Sequence, residues 1–205
     1  MCDCRISSAA VAQCLWLDRP ERAEEVLNRF AESLSDVSSI ETPQIDELDL
    51  SNCSSLVTMD VRGCGISKLN LANCTALKKI DINSNNISSF DFSPFTELTE
   101  LWIRNNKFTS LDLRNNSNLR QLYCSNNLLS SIDVSHCPKL RRLYIESNPI
   151  STVDLSAINL TQFSCCDTKI TNLDLSKQTD LYVLEITKCD IKNIDLSNNT
   201  QLDRL

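Results

Sequence analysis

Residues 98–118 read LTELWIRNNKFTSLDLRNNSN, and residues 119–139 read LRQLYCSNNLLSSIDVSHCPK. Laid one above the other, both segments open on a leucine (Leu98, Leu119). Both place asparagine ninth (Asn106, Asn127), and both set an aspartate between two apolar residues in their second half (Leu111-Asp112-Leu113, Ile132-Asp133-Val134). The opening leucine recurs at Leu56, Leu77, Leu98, Leu119, Leu140, Leu160, Leu181 and Leu202, in steps of 21 residues with a single step of 20. A fixed period of this length marks a repeat architecture, in which one small unit cannot bury its apolar face alone and stacking neighbours does so.

The shared pattern is LxxLxLxxNxLxxLDLSxNxx. Within the first unit, Leu98, Leu101, Ile103, Asn106 and Phe108 are expected to face inward, and Thr99, Glu100, Trp102, Arg104 and Asn105 outward. Period-two alternation around positions four and six makes a short strand, and strands of successive units stack in parallel about 4.8 Å apart. Leu111-Asp112-Leu113 alternates again, so a second short strand is expected on the opposite side of each unit. Nothing of ten or more residues at helical spacing separates the strands, so the expected solenoid is thin and mostly β.

The first eleven positions of the unit resemble the leucine-rich repeat signature, in which Asn or Cys stands ninth. The chain is most similar to the nested 21-residue class, sometimes called IRREKO, of bacterial and some protist proteins. The resemblance covers roughly residues 39–205, with seven full units from Leu56 and partial units at the ends. It implies a leucine-rich repeat solenoid whose concave strand face serves recognition.

Two internal columns follow from the register. Position nine holds Cys64, Asn85, Asn106, Asn127, Asn148, Thr168 and Cys189; position nineteen holds Cys53, Cys74, Phe95, Asn116, Cys137, Ile158, Gln178 and Asn199. A buried asparagine column satisfies loop backbone groups unit after unit, and cysteine or threonine substitutes in part. Of the eleven cysteines, Cys53, Cys64, Cys74, Cys124, Cys137, Cys165 and Cys189 fall at core positions and read as buried free thiols. Free thiols suit a reducing cytoplasm.

Residues 1–38 do not repeat. Asp18, Pro20 and Glu21 read as a helix start, with Ala23, Val26, Leu27, Phe30, Leu34 and Val37 at helical spacing. A shorter helix is expected over about 8–17, and the whole segment is expected to cap the first open face of the solenoid. No secretion signal is legible at the start and no stretch approaches a spanning helix. At the other end the eighth unit is only begun at Leu205, which implies either missing repeats or a partner over that edge.

Composition excludes several functions. The 27 acidic and 20 basic residues give a net charge of −7, against nucleic acid as a partner. Two glycines leave no phosphate-binding loop, and the single histidine, His136, leaves no two-imidazole metal site. No nucleophile–base arrangement is legible. The carboxylates Asp60 and Asp81 face each other on neighbouring strands, but a flat exposed sheet is not expected to desolvate them. The chain therefore reads as non-enzymatic, with no cofactor and no metal.

The outward column at position five is Asp60, Asp81, Trp102, Tyr123, Tyr144, Ser164 and Glu185. Three successive aromatic residues, with Lys78, Lys79, Arg104, Arg120, Arg141 and Arg142 around them, have the composition of an interface hot spot. The candidate binding residues are Trp102, Tyr123, Tyr144, Arg104, Arg120, Arg141 and Arg142, for an acidic protein segment first and a glycan second. A second column holds Asp49, Asp91, Asp112, Asp133, Asp154, Asp174 and Asp195, with Asn70 interrupting it. Local backbone N–H groups are its structural explanation; a row of Ca²⁺ sites is the chemical alternative. The leading function is a protein–protein interaction module. The alternatives are a surface or secreted adhesion protein, compatible with Asn-x-Ser/Thr sequons such as those at Asn86 and Asn159, and a recruiting arm of a larger protein.

Overall fold

A computed structural model describes residues 46–205 and the backbone of the two-residue strand Arg5–Ile6. The helical cap expected over 1–38 lies outside the described residues. No helix occurs among those that are described.

Each unit from Leu56 to Leu181 contributes one short strand to the main sheet. After β1 (Arg5–Ile6) and β2 (Glu47–Asp49) come β3 (Thr58–Arg62), β4 (Lys68–Asn70), β5 (Lys79–Asp81), β6 (Glu100–Trp102), β7 (Gln121–Tyr123), β8 (Arg142–Tyr144), β9 (Gln162–Ser164) and β10 (Val183–Glu185). The main sheet has the order β1-β3-β5-β6-β7-β8-β9-β10. From β3 onward every pair is parallel and in register, so that Asp81, Trp102, Tyr123, Tyr144 and Ser164 face one another as Cα partners. β1 joins the edge antiparallel, Arg5 against Arg62.

The sequence expectation of a second strand per unit holds only at the beginning. β2 pairs with β4, Leu48 against Leu69. From Phe90 onward the corresponding segments form no ladder. Each aspartate there accepts the N–H two residues on, an Asx turn also made by Asp49 and Asn70 in the paired strands β2 and β4. Beneath the later segments Phe92, Phe95 and Phe108 are fully buried, with Phe90 edge-on to Phe92 at 5.0 Å.

The inward residues close the core. Leu98, Leu101, Ile103 and Phe108 are fully buried, as are their equivalents Leu119, Leu122, Cys124 and Leu129 one unit on. Position nine binds the units together. Asn127 Oδ1 accepts from Phe108 N at 3.0 Å, while Nδ2 donates to Ile103 O at 2.9 Å and Cys124 O at 3.0 Å. Each amide thus serves its own strand end and that of the preceding unit. Asn85, Asn106 and Asn148 repeat the pattern. Thr168 retains a single backbone contact, to Cys165 O at 2.8 Å, and Cys189 Sγ sits 2.9 Å from the same oxygen. Position nineteen forms a second column: Asn116 donates to Phe92 O and Phe95 O, and Gln178 to Leu155 O and Ile158 O.

From β2 onward the chain turns after each strand through a residue of left-handed backbone. Position eight has positive φ in each unit: Gly63, Ser84, Asn105, Asn126, Ser147, Asp167 and Lys188. Only glycine takes this conformation without steric cost, and Asn and Asp tolerate it best among the rest.

One expectation about the cysteines is corrected. Cys124, Cys137, Cys165, Cys166 and Cys189 carry free thiols, but Cys64 is disulfide-bonded. Burial pushes the Cys137 thiol up to about 11 and raises Cys124 and Cys165 further, so these groups stay protonated at neutral pH.

Candidate functional site

Parallel in-register pairing brings the position-five residues into one row on the strand face. The Trp102 and Tyr123 rings lie 4.7 Å apart at 46°, and Tyr123 and Tyr144 stack at 4.7 Å and 10°. This spacing is the strand spacing itself. All three rings are half-buried. Cations complete the row: Lys79 Nζ sits 4.5 Å from the Trp102 centroid, and the Arg104 guanidinium lies 4.6 Å from Tyr123 and 5.0 Å from Tyr144.

The six flanking cations separate into two groups. Lys79 and Arg104 touch the rings. Arg142 lies beside them at the start of β8, its Nη1 3.5 Å from Gln121 Oε1. Lys78, Arg120 and Arg141 occupy position two, before the strand begins, and are exposed. Arg141 turns away to donate to Asn159 O at 2.6 Å. Outward parity holds only within the strand, and position two falls before it.

Side chains at positions three and seven complete the face. Tyr123 Oη donates to Gln121 Oε1 at 3.2 Å and Tyr144 Oη to Gln162 Oε1 at 2.6 Å; Gln162 in turn meets Tyr182 Oη. Burial raises the Tyr144 phenol above its usual range. Ser125 Oγ donates to Glu146. The recurring strand register carried the signal for these partners, because positions three, five and seven share one face. Across those positions the face bears four cations (Arg62, Lys79, Arg104, Arg142) and five carboxylates (Asp60, Asp81, Glu100, Glu146, Glu185). The basic neighbourhood of the rings is therefore local.

At the β3–β5 end the expectation of exposed carboxylates fails for one of the pair. Asp81 is 2% exposed, covered by its neighbours on the sheet. Burial pushes its carboxyl up to about 6; the Asn83 amide, which donates at 3.2 Å, pulls it down, and Asp60 adds to the rise. Arg62 holds Asp60 at 2.8 Å and lies 3.5 Å from Asp81. Lys79 also pairs with Glu100 at 3.5 Å.

The aspartate column is explained locally. Oδ1 of Asp91, Asp133, Asp154, Asp174 and Asp195 each accepts the backbone N–H of the serine two residues on, at 2.9 Å. The hydroxyl of that serine, the larger influence at Asp91 and Asp133, and its N–H, the larger at Asp154, Asp174 and Asp195, together hold the carboxyls below their ordinary range. Asp112 is bound instead by the Arg114 side chain and amide, and falls to about 2. Among the described residues no group of three or more His, Cys, Asp or Glu is placed to hold a metal ion, and no helix is long and apolar enough to cross a membrane.

Twenty-one-residue turns, a one-strand-per-unit parallel sheet and buried asparagine columns define a leucine-rich repeat solenoid. The chain is a leucine-rich repeat protein: residues 96–134 and 117–157 match the family model for leucine-rich repeats in two copies. It is 32% identical to the functional domain of InlJ from Listeria monocytogenes, whose structure includes a cysteine ladder, with a TM-score of 0.76. That match covers 80% of this chain, which spans 37% of the InlJ domain. A Leptospira interrogans leucine-rich repeat protein, LIC12759, is 16% identical over 82% of this chain and 53% of its own, with a TM-score of 0.59. Internalin C2 of Listeria monocytogenes is 20% identical over 74% of this chain and 81% of its own, at 0.57. The last two share the fold alone. A comparison with curated proteins gave no match.

Proposed function

We propose that the chain is a non-enzymatic protein-binding module whose strand face, centred on Trp102, Tyr123 and Tyr144, receives its partner. The leucine-rich repeat fold points to protein–protein interaction as a class. The observation that carries the specific face is the aromatic row, held in place by ring stacking and by Lys79 and Arg104. Preorganised aromatic and arginine side chains lose little entropy on binding and dominate interface energetics. The same stacking supports a protein over a glycan. Tyr123 is sandwiched between Trp102 and Tyr144, and Lys79 lies against Trp102, so the ring faces that a sugar would stack on are occupied. The double substitution Trp102→Ala with Tyr123→Ala tests the assignment. Crosslinked partner capture that survives both substitutions, in a protein of unchanged circular dichroism, overturns it.

The Cys64 disulfide supports the alternative of a surface or secreted protein over the cytoplasm expected from buried thiols. Alkylation of the native protein without reductant decides: labelling of Cys64 after denaturation supports a reducing compartment, and its protection an oxidising one.

A further inference from the structure

Arg104 differs from the other cations on the face. Arg62 is paired with Asp60, and Lys79 with Glu100. Arg104 makes no ion pair among the described residues. Its Nε is buried with no hydrogen-bond acceptor, and so is Nε1 of Trp102 two residues before it. Glu146, two units along in the same outward column, has its carboxylate taken by Ser125 Oγ. The guanidinium is instead laid across the rings of Tyr123 and Tyr144, which fixes its position while leaving its hydrogen-bonding capacity unused. A planar guanidinium without an ion-pair partner is matched best by a planar anion.

Resting on the reading of this face as a protein-binding surface, we propose that Arg104, framed by Tyr123 and Tyr144, is the receiving site for a single carboxylate side chain of a protein partner. A carboxylate meeting the outer guanidinium edge gains two charge-assisted hydrogen bonds, while apolar neighbours of the partner pack on the ring edges of Trp102 and Tyr123. The surrounding charges select against a polyanion. Four cations and five carboxylates share the face, so it offers no continuous basic track to a nucleic acid or a phosphate-rich chain. An isolated Asp or Glu in a mostly apolar segment needs none.

The test uses the full chain and a random peptide library displayed on phage, with affinities of the enriched peptides measured by calorimetry. The expected result is enrichment of peptides with one shared acidic position. Affinity falls about tenfold or more on Arg104→Gln, and by a similar factor when the peptide acid is changed to its amide. The two losses do not multiply when combined. Arg104→Lys, which keeps the charge but not the fork, recovers part of the affinity. Peptides that need Trp102 and Tyr123 but are indifferent to Arg104→Gln overturn the carboxylate assignment and leave the binding face standing. Peptides indifferent to Trp102→Ala, or no enrichment at all, overturn the face and the carboxylate site together. Circular dichroism and melting of each variant separate loss of binding from loss of fold.

Discussion

Replacing Asp81 with asparagine stabilises the protein at about pH 8 and changes it little at about pH 4. Asp81 is almost fully buried, and its carboxyl is raised from an ordinary 3.8 to about 6. A folded-state value above the unfolded one means that the fold holds the proton more tightly. The associated stability is fully present below the unfolded value and is lost as pH rises through about 6. A gap of about two units, at about 1.36 kcal/mol each, is roughly 3 kcal/mol of strain carried at neutral pH. Asparagine keeps the acceptor for the Asn83 N–H, seen at 3.2 Å, and removes the charge. The expected gain at about pH 8 is therefore about 2–3 kcal/mol, or about 5–10 °C in melting temperature for a chain of this size. Urea denaturation of both proteins at the two pH values measures it. The six depressed aspartates of the outer column weaken the fold as pH falls, but they are common to both proteins and cancel in the difference. An equal effect of Asp81→Asn at both pH values, or destabilisation at about pH 8, refutes the reasoning.

Asn127→Ala removes the acceptor for Phe108 N and the donor to three carbonyls of two units, and is expected to destabilise by about 3 kcal/mol in urea melts. Lys188 sits at a φ of 57°, so Lys188→Gly is expected to stabilise by about 0.5–1 kcal/mol; the same change at Asn105, whose side chain tolerates this conformation, has a smaller effect. Carboxyl titration by NMR is expected to place Asp112 near 2, and Arg114→Ala to raise it toward the range of its serine-paired neighbours. Failure of Asp112 to move in that variant removes Arg114 as the cause.

The repeat, its strand and the two internal amide columns were legible because each rests on a residue type with one physical role in a fixed register. Leucine at positions one and four packs, and asparagine at nine satisfies the turn. The left-handed turn at position eight was not legible. Gly63, Asn105 and Asp167 announce it, but Ser84 and Lys188 do not, because the ladder around them holds the backbone regardless of the local preference. The second strand was over-read at Leu111-Asp112-Leu113. Alternation describes which side chains are buried, and it is the same in β2 and β4, which pair, as in the later segments, which do not. The aromatic row was readable from spacing alone. The separation of Arg104 from Arg120 and Arg141 required knowing where the strand begins, which a period cannot supply. The burial of Asp81 was missed because the sheet face was treated as flat, whereas long side chains on adjacent strands cover a short one between them.

The asparagine column has a mechanical corollary. From Asn85 to Asn148 each amide bolts two consecutive units, so none of these units can open without breaking bonds in its neighbour. At Thr168 and Cys189 the bolt shrinks to a hydroxyl or a thiol contact. On its strand side the array is therefore stiff from Asn85 to Asn148 and looser beyond, where only Gln178 and Asn199 of the second column still join the units by amides. Amide protons of the strands β5 to β8 should exchange only with global unfolding, and those of β9 and β10 by a cheaper local opening. The aromatic row stands on the stiff part, so a partner docking there meets a surface that does not have to be ordered first.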